Sequence, residues 1–272
     1  MKLNIVPART GAQWVREGVG LFMRQPLAFA GIFLLLVVVT SLLSLVPLVG
    51  DALALLVVPA GTVGLMAAAR EALGGRFPMP SILAIGLRHS PAKTRAMLVL
   101  GAMYAVAVLA IIALGASMDD GQLTGLIQAN GGRITPELMA DPAMQQAVRG
   151  SATRMLLVTL LYLPVTVLFW HAPALVFWHD VSPGKALFFS AVGVLRNTGA
   201  YLIYGMGWVT LAMIGWMGLL ILAGLLGSLR VAVSGIMPVS LLIAAMLSAS
   251  LWATFRDSFR ADTPPDDTPP AT

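Results

Sequence analysis

The chain has no cysteine and only three histidines among 272 residues. Without cysteine, disulfides, thiol catalysis and thiolate-ligated metal are excluded. Charge is scarce too. Asp, Glu, Lys and Arg make up 11% of the residues, against about 25% in an ordinary soluble domain. So few charges cannot give polar outer faces to the helices of a soluble bundle. A Walker loop, a zinc helix motif, a paired-carboxylate arrangement and a serine elbow are all missing. The sequence therefore calls for no cofactor, no metal and no enzymatic activity. Its basic residues stand singly between apolar runs, which excludes nucleic acid as a partner.

Apolar residues are abundant, at 58%, and the mean hydropathy is +0.87. Several uninterrupted apolar runs approach 20 residues, the length that crosses the hydrocarbon of a bilayer. The expected fold is all-α: a polytopic membrane protein with six transmembrane helices arranged as three hairpins. The expected spans are 27–50, 52–69, 96–117, 155–178, 199–227 and 231–255. Residues 1–26 form a cytoplasmic segment with an amphipathic helix, residues 118–154 an outer-face loop, and residues 256–272 a tail whose Pro, Asp and Thr content predicts disorder. Met1–Gln25 lacks the layout of a secretory signal, so the first span is expected to stay in the mature protein.

The first unit sets a pattern. Thr10–Gln25 reads as a helix capped by Thr10, with Gln13, Arg16, Glu17, Gly20 and Arg24 on one face and Trp14 near the boundary. A basic amphipathic helix of this kind suits the headgroup plane; otherwise it extends the first span. It is a ramp leading into a hairpin. A second ramp, Ser182–Asn197, aligns with it at an offset of 172: Arg24 meets Arg196, Gln25 meets Asn197 and Phe29 meets Tyr201. A weaker copy, Ser81–Arg88, precedes the third span. Three ramp-and-hairpin units in parallel orientation read as an internal repeat. Within the loop, Asp141-Pro142 starts a short helix that Gly150 is expected to end, and Thr135-Pro136-Glu137 starts another.

Six spans put both termini on one side. Thirteen Lys and Arg lie on that side (Lys2, Arg9, Arg16, Arg24, Arg70, Arg76, Arg88, Lys93, Arg95, Lys185, Arg196, Arg256 and Arg260), and four (Arg133, Arg149, Arg154 and Arg230) on the other. The positive-inside rule then places the termini in the cytoplasm.

Few residues within the spans bear chemistry. His171 is the one ionisable side chain clearly inside a span; its place among aromatics fits a belt residue reaching water, with a proton or ligand role as the alternative. Pro59, Pro164 and Pro238 fall in the second helix of each hairpin; they read as simple kinks or as broken helices around a central site. The glycines of the fifth span and Ala67-Ala68-Ala69 read as helix-packing surfaces. His179-Asp180 does not read as a catalytic pair, because adjacent helical residues point apart.

Met1–Val15, with Phe22, Arg24-Gln25-Pro26 and Ser44–Gly50 beyond, resembles an uncharacterised family of bacterial multi-span inner-membrane proteins. The ramp-and-hairpin layout is also distantly similar to the membrane domain attached to some glycerophosphodiester phosphodiesterases. The first resemblance implies a cytoplasmic-membrane location and no particular activity. The partners expected are the lipid bilayer, anionic lipid headgroups at the cytoplasmic face, and a membrane protein or a second copy of the chain. Two functions compete: a non-enzymatic scaffold or envelope-maintenance factor, and a transporter or lipid-handling protein built on the proline-kinked helices. For the orientation, a reporter fused to the C-terminus is expected to behave as cytoplasmic; an exported reporter would reverse it.

Overall fold

The computed structural model describes residues 2–260; the expected disordered tail, 261–272, lies outside them. Among the described residues, six helices are long and apolar enough to cross a membrane. They pack as three hairpins. Helix α2 (Pro26–Ser44) pairs with α3 (Gly50–Leu73), and α5 (Pro91–Ser117) with α8 (Pro142–Phe169); α11 (Thr198–Leu225) pairs with α12 (Leu229–Ser258). The ramps are α1 (Thr10–Arg24), a 3-10 turn (Pro80–Ala84) running into the one-turn helix α4 (Ile85–Arg88), and α10 (Pro183–Arg196).

The ramps fix the arrangement. Each docks on the hairpin before its own: α4 and its 3-10 turn pack on the first hairpin, and α10 packs on α8 and the short helix α9 (Ala172–His179) of the second. Helix α1 has no preceding hairpin in the chain, and it packs on the third. The order is therefore cyclic. The buried positions of α1 and α10 coincide at the 172-residue offset: Trp14, Gly18, Leu21 and Phe22 correspond to Ala186, Ser190, Gly193 and Val194.

Helix α1 is separated from α2 by a break at Gln25, where φ is −139°, so it does not extend the span. Gln13, Arg16 and Arg24 are exposed, as its amphipathic pattern requires. The apolar stripe meets protein. Trp14, expected near the boundary, is fully buried. At Gly11 a Cβ would collide with the Ala200 carbonyl, and at Gly18 it would lie 2.5 Å from the Ser250 Cβ. Glycine is needed at both for backbones to approach this closely. Polar contacts complete the joint. Glu17 receives two hydrogen bonds from Arg256 (2.9 and 3.0 Å), and the Trp14 indole donates to Asp257 (2.9 Å). Two-residue strands, β1 (Lys2–Leu3) and β2 (Phe259–Arg260), pair antiparallel, so both ends of the described chain share one face. The Asn197 side chain accepts from the Val6 amide and donates to the Asn4 carbonyl.

Several boundaries differ from the sequence reading. The first span ends at Ser44 rather than Gly50, because Pro47 cannot continue the ladder and Leu48 takes a left-handed φ of 69°. Asp51 falls in the first turn of α3, where the helix dipole favours a carboxylate. Arg9, not Thr10, precedes α1 as its cap. Gly150 does not end a helix: α8 runs unbroken from Pro142 to Phe169, so the segment between α5 and α8 holds only α6 (Gln122–Ala129) and α7 (Pro136–Ala140) as separate helices. The caps themselves form, with Asp141 accepting from the Ala143 amide and Thr135 from the Leu138 amide. Asp119 pairs with Arg154 across this segment. That hydrogen bond and one from the Gly121 amide hold its carboxyl below the usual carboxylate range.

The glycines of α11 divide. Gly207 and Gly215 pack on Val15 and on Val239, whereas a Cβ at Gly205, Gly218 or Gly224 would meet nothing. Those three do not form the packing surface expected of them. Ala67, Ala68 and Ala69 do, buried against Leu21, Phe22, Ala245 and Ala249.

Candidate functional site: a lateral groove at the centre of the hairpins

The second helices of the hairpins, α3, α8 with α9, and α12, surround the interior. The fourth span is not one helix. It stops at Phe169 and restarts at Ala172, for two reasons. Pro173 has no N–H and its ring displaces the carbonyl four residues earlier. Ser190 of α10 also enters the break: its hydroxyl donates to the Val167 carbonyl (2.9 Å) and accepts from the His171 amide (2.9 Å). In a continuous helix those two groups would bond to each other. A hydroxyl from the third ramp is thus inserted into one rung of the span, a recognised cause of a sharp bend.

Beside the break lies an open groove of about 240 Å³. Val58, Pro59 and Thr62 of α3 line it, with Tyr104 of α5, Tyr162, Thr166 and Phe169 of α8, Trp170, Pro173, and Leu247 and Leu251 of α12. No charged side chain lines it. Its polar atoms are mostly engaged already. The Tyr104 and Tyr162 hydroxyls share a hydrogen bond of 2.8 Å. Thr62 and Thr166 donate back to the carbonyls of Val58 and Tyr162, and the Trp170 indole donates to Thr254. The groove therefore presents apolar and aromatic walls with a few hydroxyls, contributed by α3, α5 and α8.

The sequence candidates are only partly gathered here. Pro59 is buried and lines the groove. Pro164 and Pro238 are exposed on the outer surfaces of α8 and α12 and do not reach it, so the three prolines do not frame one site. His171 is fully buried and cannot be a belt residue reaching water. Its Nε2 is hydrogen-bonded to the Tyr201 hydroxyl, while its Nδ1 has no partner among the described residues. Its ring sits among Tyr201, Phe255 and Phe259, behind Trp170 and away from the groove lining. His179-Asp180 ends α9, and Asp180 pairs with Lys93 at 3.1 Å. Among the described residues no cluster of His, Asp or Glu is placed to hold a metal.

The sequence reading missed Tyr104 and Tyr162. Their signal was present: each is the lone tyrosine of its apolar run, and a phenol in hydrocarbon needs a partner.

A probable inner membrane protein of Burkholderia thailandensis is 40% identical to this chain over 266 residues, covering 97% of this chain and 96% of the relative. The chain belongs to the same inner-membrane protein family. With six apolar helices, that makes it a multi-pass protein of the inner membrane. No family model and no solved structure matches the chain. The likeness to the membrane domain attached to glycerophosphodiester phosphodiesterases rests on the ramp-and-hairpin layout alone.

The Ser190 bridge generates a prediction. Ser190→Ala leaves the Val167 carbonyl and His171 amide buried without their shared partner, which costs about 1–3 kcal/mol. The thermal unfolding midpoint in detergent is expected to fall, and Ser190→Thr, which keeps the hydroxyl, to recover part of the loss. An unchanged midpoint for Ser190→Ala would mean that the hydroxyl does not bridge the break.

Proposed function

We propose that this inner-membrane protein is non-enzymatic and handles lipid, taking an apolar chain laterally into the groove between α3, α8 and α12. The observation that carries this reading is the groove's lining: aromatic and aliphatic walls, a few hydroxyls, and no charge. Ligand sites are mostly apolar with a few placed polar groups, and in hydrocarbon an uncharged groove selects an uncharged guest. An ion or a charged solute would lose its hydration without compensation there. The Tyr104–Tyr162 pair offers a donor and acceptor to an ester or hydroxyl at the polar end of such a guest. The charge asymmetry of the loops supports a cytoplasmic placement of both termini.

The scaffold function has a weaker basis. A Cβ at Gly205, Gly218 or Gly224 of α11 would meet nothing among the described residues, but lipid covers such positions as readily as another helix does.

A phospholipid bearing a photoreactive diazirine in one acyl chain tests the reading. In reconstituted vesicles, label is expected on peptides carrying Tyr104 and Tyr162. Thr62→Trp fills the groove, and label at those peptides is expected to fall about tenfold, as a loss of about 1.4 kcal/mol in binding gives. Label spread evenly over exposed helices, and unchanged by Thr62→Trp, would sink the proposal.

A further inference from the structure

A second cleft lies at the terminal face, where the middle ramp turns into the third span. Helix α4 ends at Arg88, the chain turns through His89 and Ser90, and α5 begins at Pro91. The cleft measures about 740 Å³ and is bordered by Arg88 and Arg95 at one end and by Leu98, Val99 and Ala102 at the other. Arg95, Leu98, Val99 and Ala102 are all exposed. They recur at helical spacing and form one stripe down α5. A cation at the head of an apolar stripe suits the boundary between headgroups and hydrocarbon.

The two guanidinium groups are uncommitted. Some cations of this face have partners: Lys93 pairs with Asp180 and donates to the Phe177 carbonyl, Arg256 holds Glu17, and Arg70 stacks on Trp252, whereas Arg16, Arg24 and Arg196 have none among the described residues. Arg88 and Arg95 have no ion pair or side-chain hydrogen bond among the described residues. Leu87, on the rim of this cleft, also borders a second one of about 270 Å³ beneath the ramp. Leu35, Leu36, Val57 and Leu83 line that second cleft, and its walls are almost wholly apolar.

We propose that this notch is a binding site for one anionic phospholipid. The phosphodiester lies between Arg88 and Arg95. One acyl chain follows Leu98, Val99 and Ala102, and the other enters the apolar cleft on the far side of Leu87. Two guanidinium groups match the charge and donor demand of a phosphate, and two apolar clefts meeting at one residue match a two-chain lipid. The site is distinct from the groove between α3, α8 and α12, so its failure would leave the lipid-handling proposal standing.

The test uses the full chain in phosphatidylcholine nanodiscs doped with phosphatidylglycerol, with retained lipid counted by native mass spectrometry. Wild type is expected to keep one phosphatidylglycerol. Each basic residue near an anionic lipid surface contributes about 1 kcal/mol, so the Arg88→Gln/Arg95→Gln double variant is expected to lose retention about 30-fold. Arg16→Gln removes an exposed cation of the first ramp, α1, and is expected to change nothing. Ala102→Trp, which blocks the stripe, is expected to weaken retention while leaving both arginines in place. An unfolding midpoint matching wild type in pure phosphatidylcholine shows that a variant is folded. Equal retention by the double variant and wild type overturns the site. Displacement of the phosphatidylglycerol by millimolar inorganic phosphate also overturns it, because the notch would then be a free-phosphate site.

Discussion

The first ramp seated on the last hairpin is the contact on which the rest of the structure depends. Hydrocarbon gives helices no hydrophobic reason to associate, because a leucine is as well solvated by lipid as by protein. Association needs close packing and polar contacts that lipid cannot supply. Helix α1 has both. Gly11 and Gly18 let its backbone reach α11 and α12, and Glu17 and Trp14 reach Arg256 and Asp257. Since each of the other ramps sits on the hairpin before its own, this one joint turns a row of three units into a ring. The ring in turn brings α3, α9 and α12 together and creates the interior that the groove opens into.

Polar groups inside the spans share a pattern. Many are paired locally, although His171 Nδ1, Trp208 Nε1 and the Ser258 hydroxyl are buried without a partner among the described residues, and the pairing shapes the helices involved. Ser190 opens a rung of the fourth span and then fills it. The Tyr204 hydroxyl meets Ser250, the position that also accommodates Gly18. Tyr104 and Tyr162 meet each other at the groove. With their hydroxyls shared in this way, these side chains hold a defined shape without charge. That favours a site that recognises a guest by fit and by one or two hydrogen bonds rather than by ionic attraction.

Much of the architecture was legible in the sequence, because the bilayer imposes it. Twenty apolar residues must cross, and prolines and lone charges mark where they stop. Span ends moved where the local backbone decided otherwise, as at Pro47-Leu48, and a Gly150 that looked like a terminator is simply tolerated within α8. The seat of α1 was not legible. An apolar stripe reads the same whether lipid or protein faces it, and only Gly11 and Gly18 on that stripe marked a close approach. The groove was less legible still. Tyr104 and Tyr162 lie 58 residues apart, and the Ser190 insertion joins residues that no helical spacing relates. Pro164 and Pro238 misled because a proline marks a bend without saying which way it faces.

The natural absence of cysteine allows a direct test of the ring. An ideal Cβ at Gly207 lies 3.7 Å from the Val15 Cβ, within the separation a disulfide spans. The variant Val15→Cys/Gly207→Cys, oxidised mildly in native membranes and then cut by protease in the 118–154 loop, is expected to run as one species without reductant and as two fragments with it. Two fragments under both conditions, while each single-cysteine protein accumulates normally, would mean that the first ramp does not sit on the last hairpin.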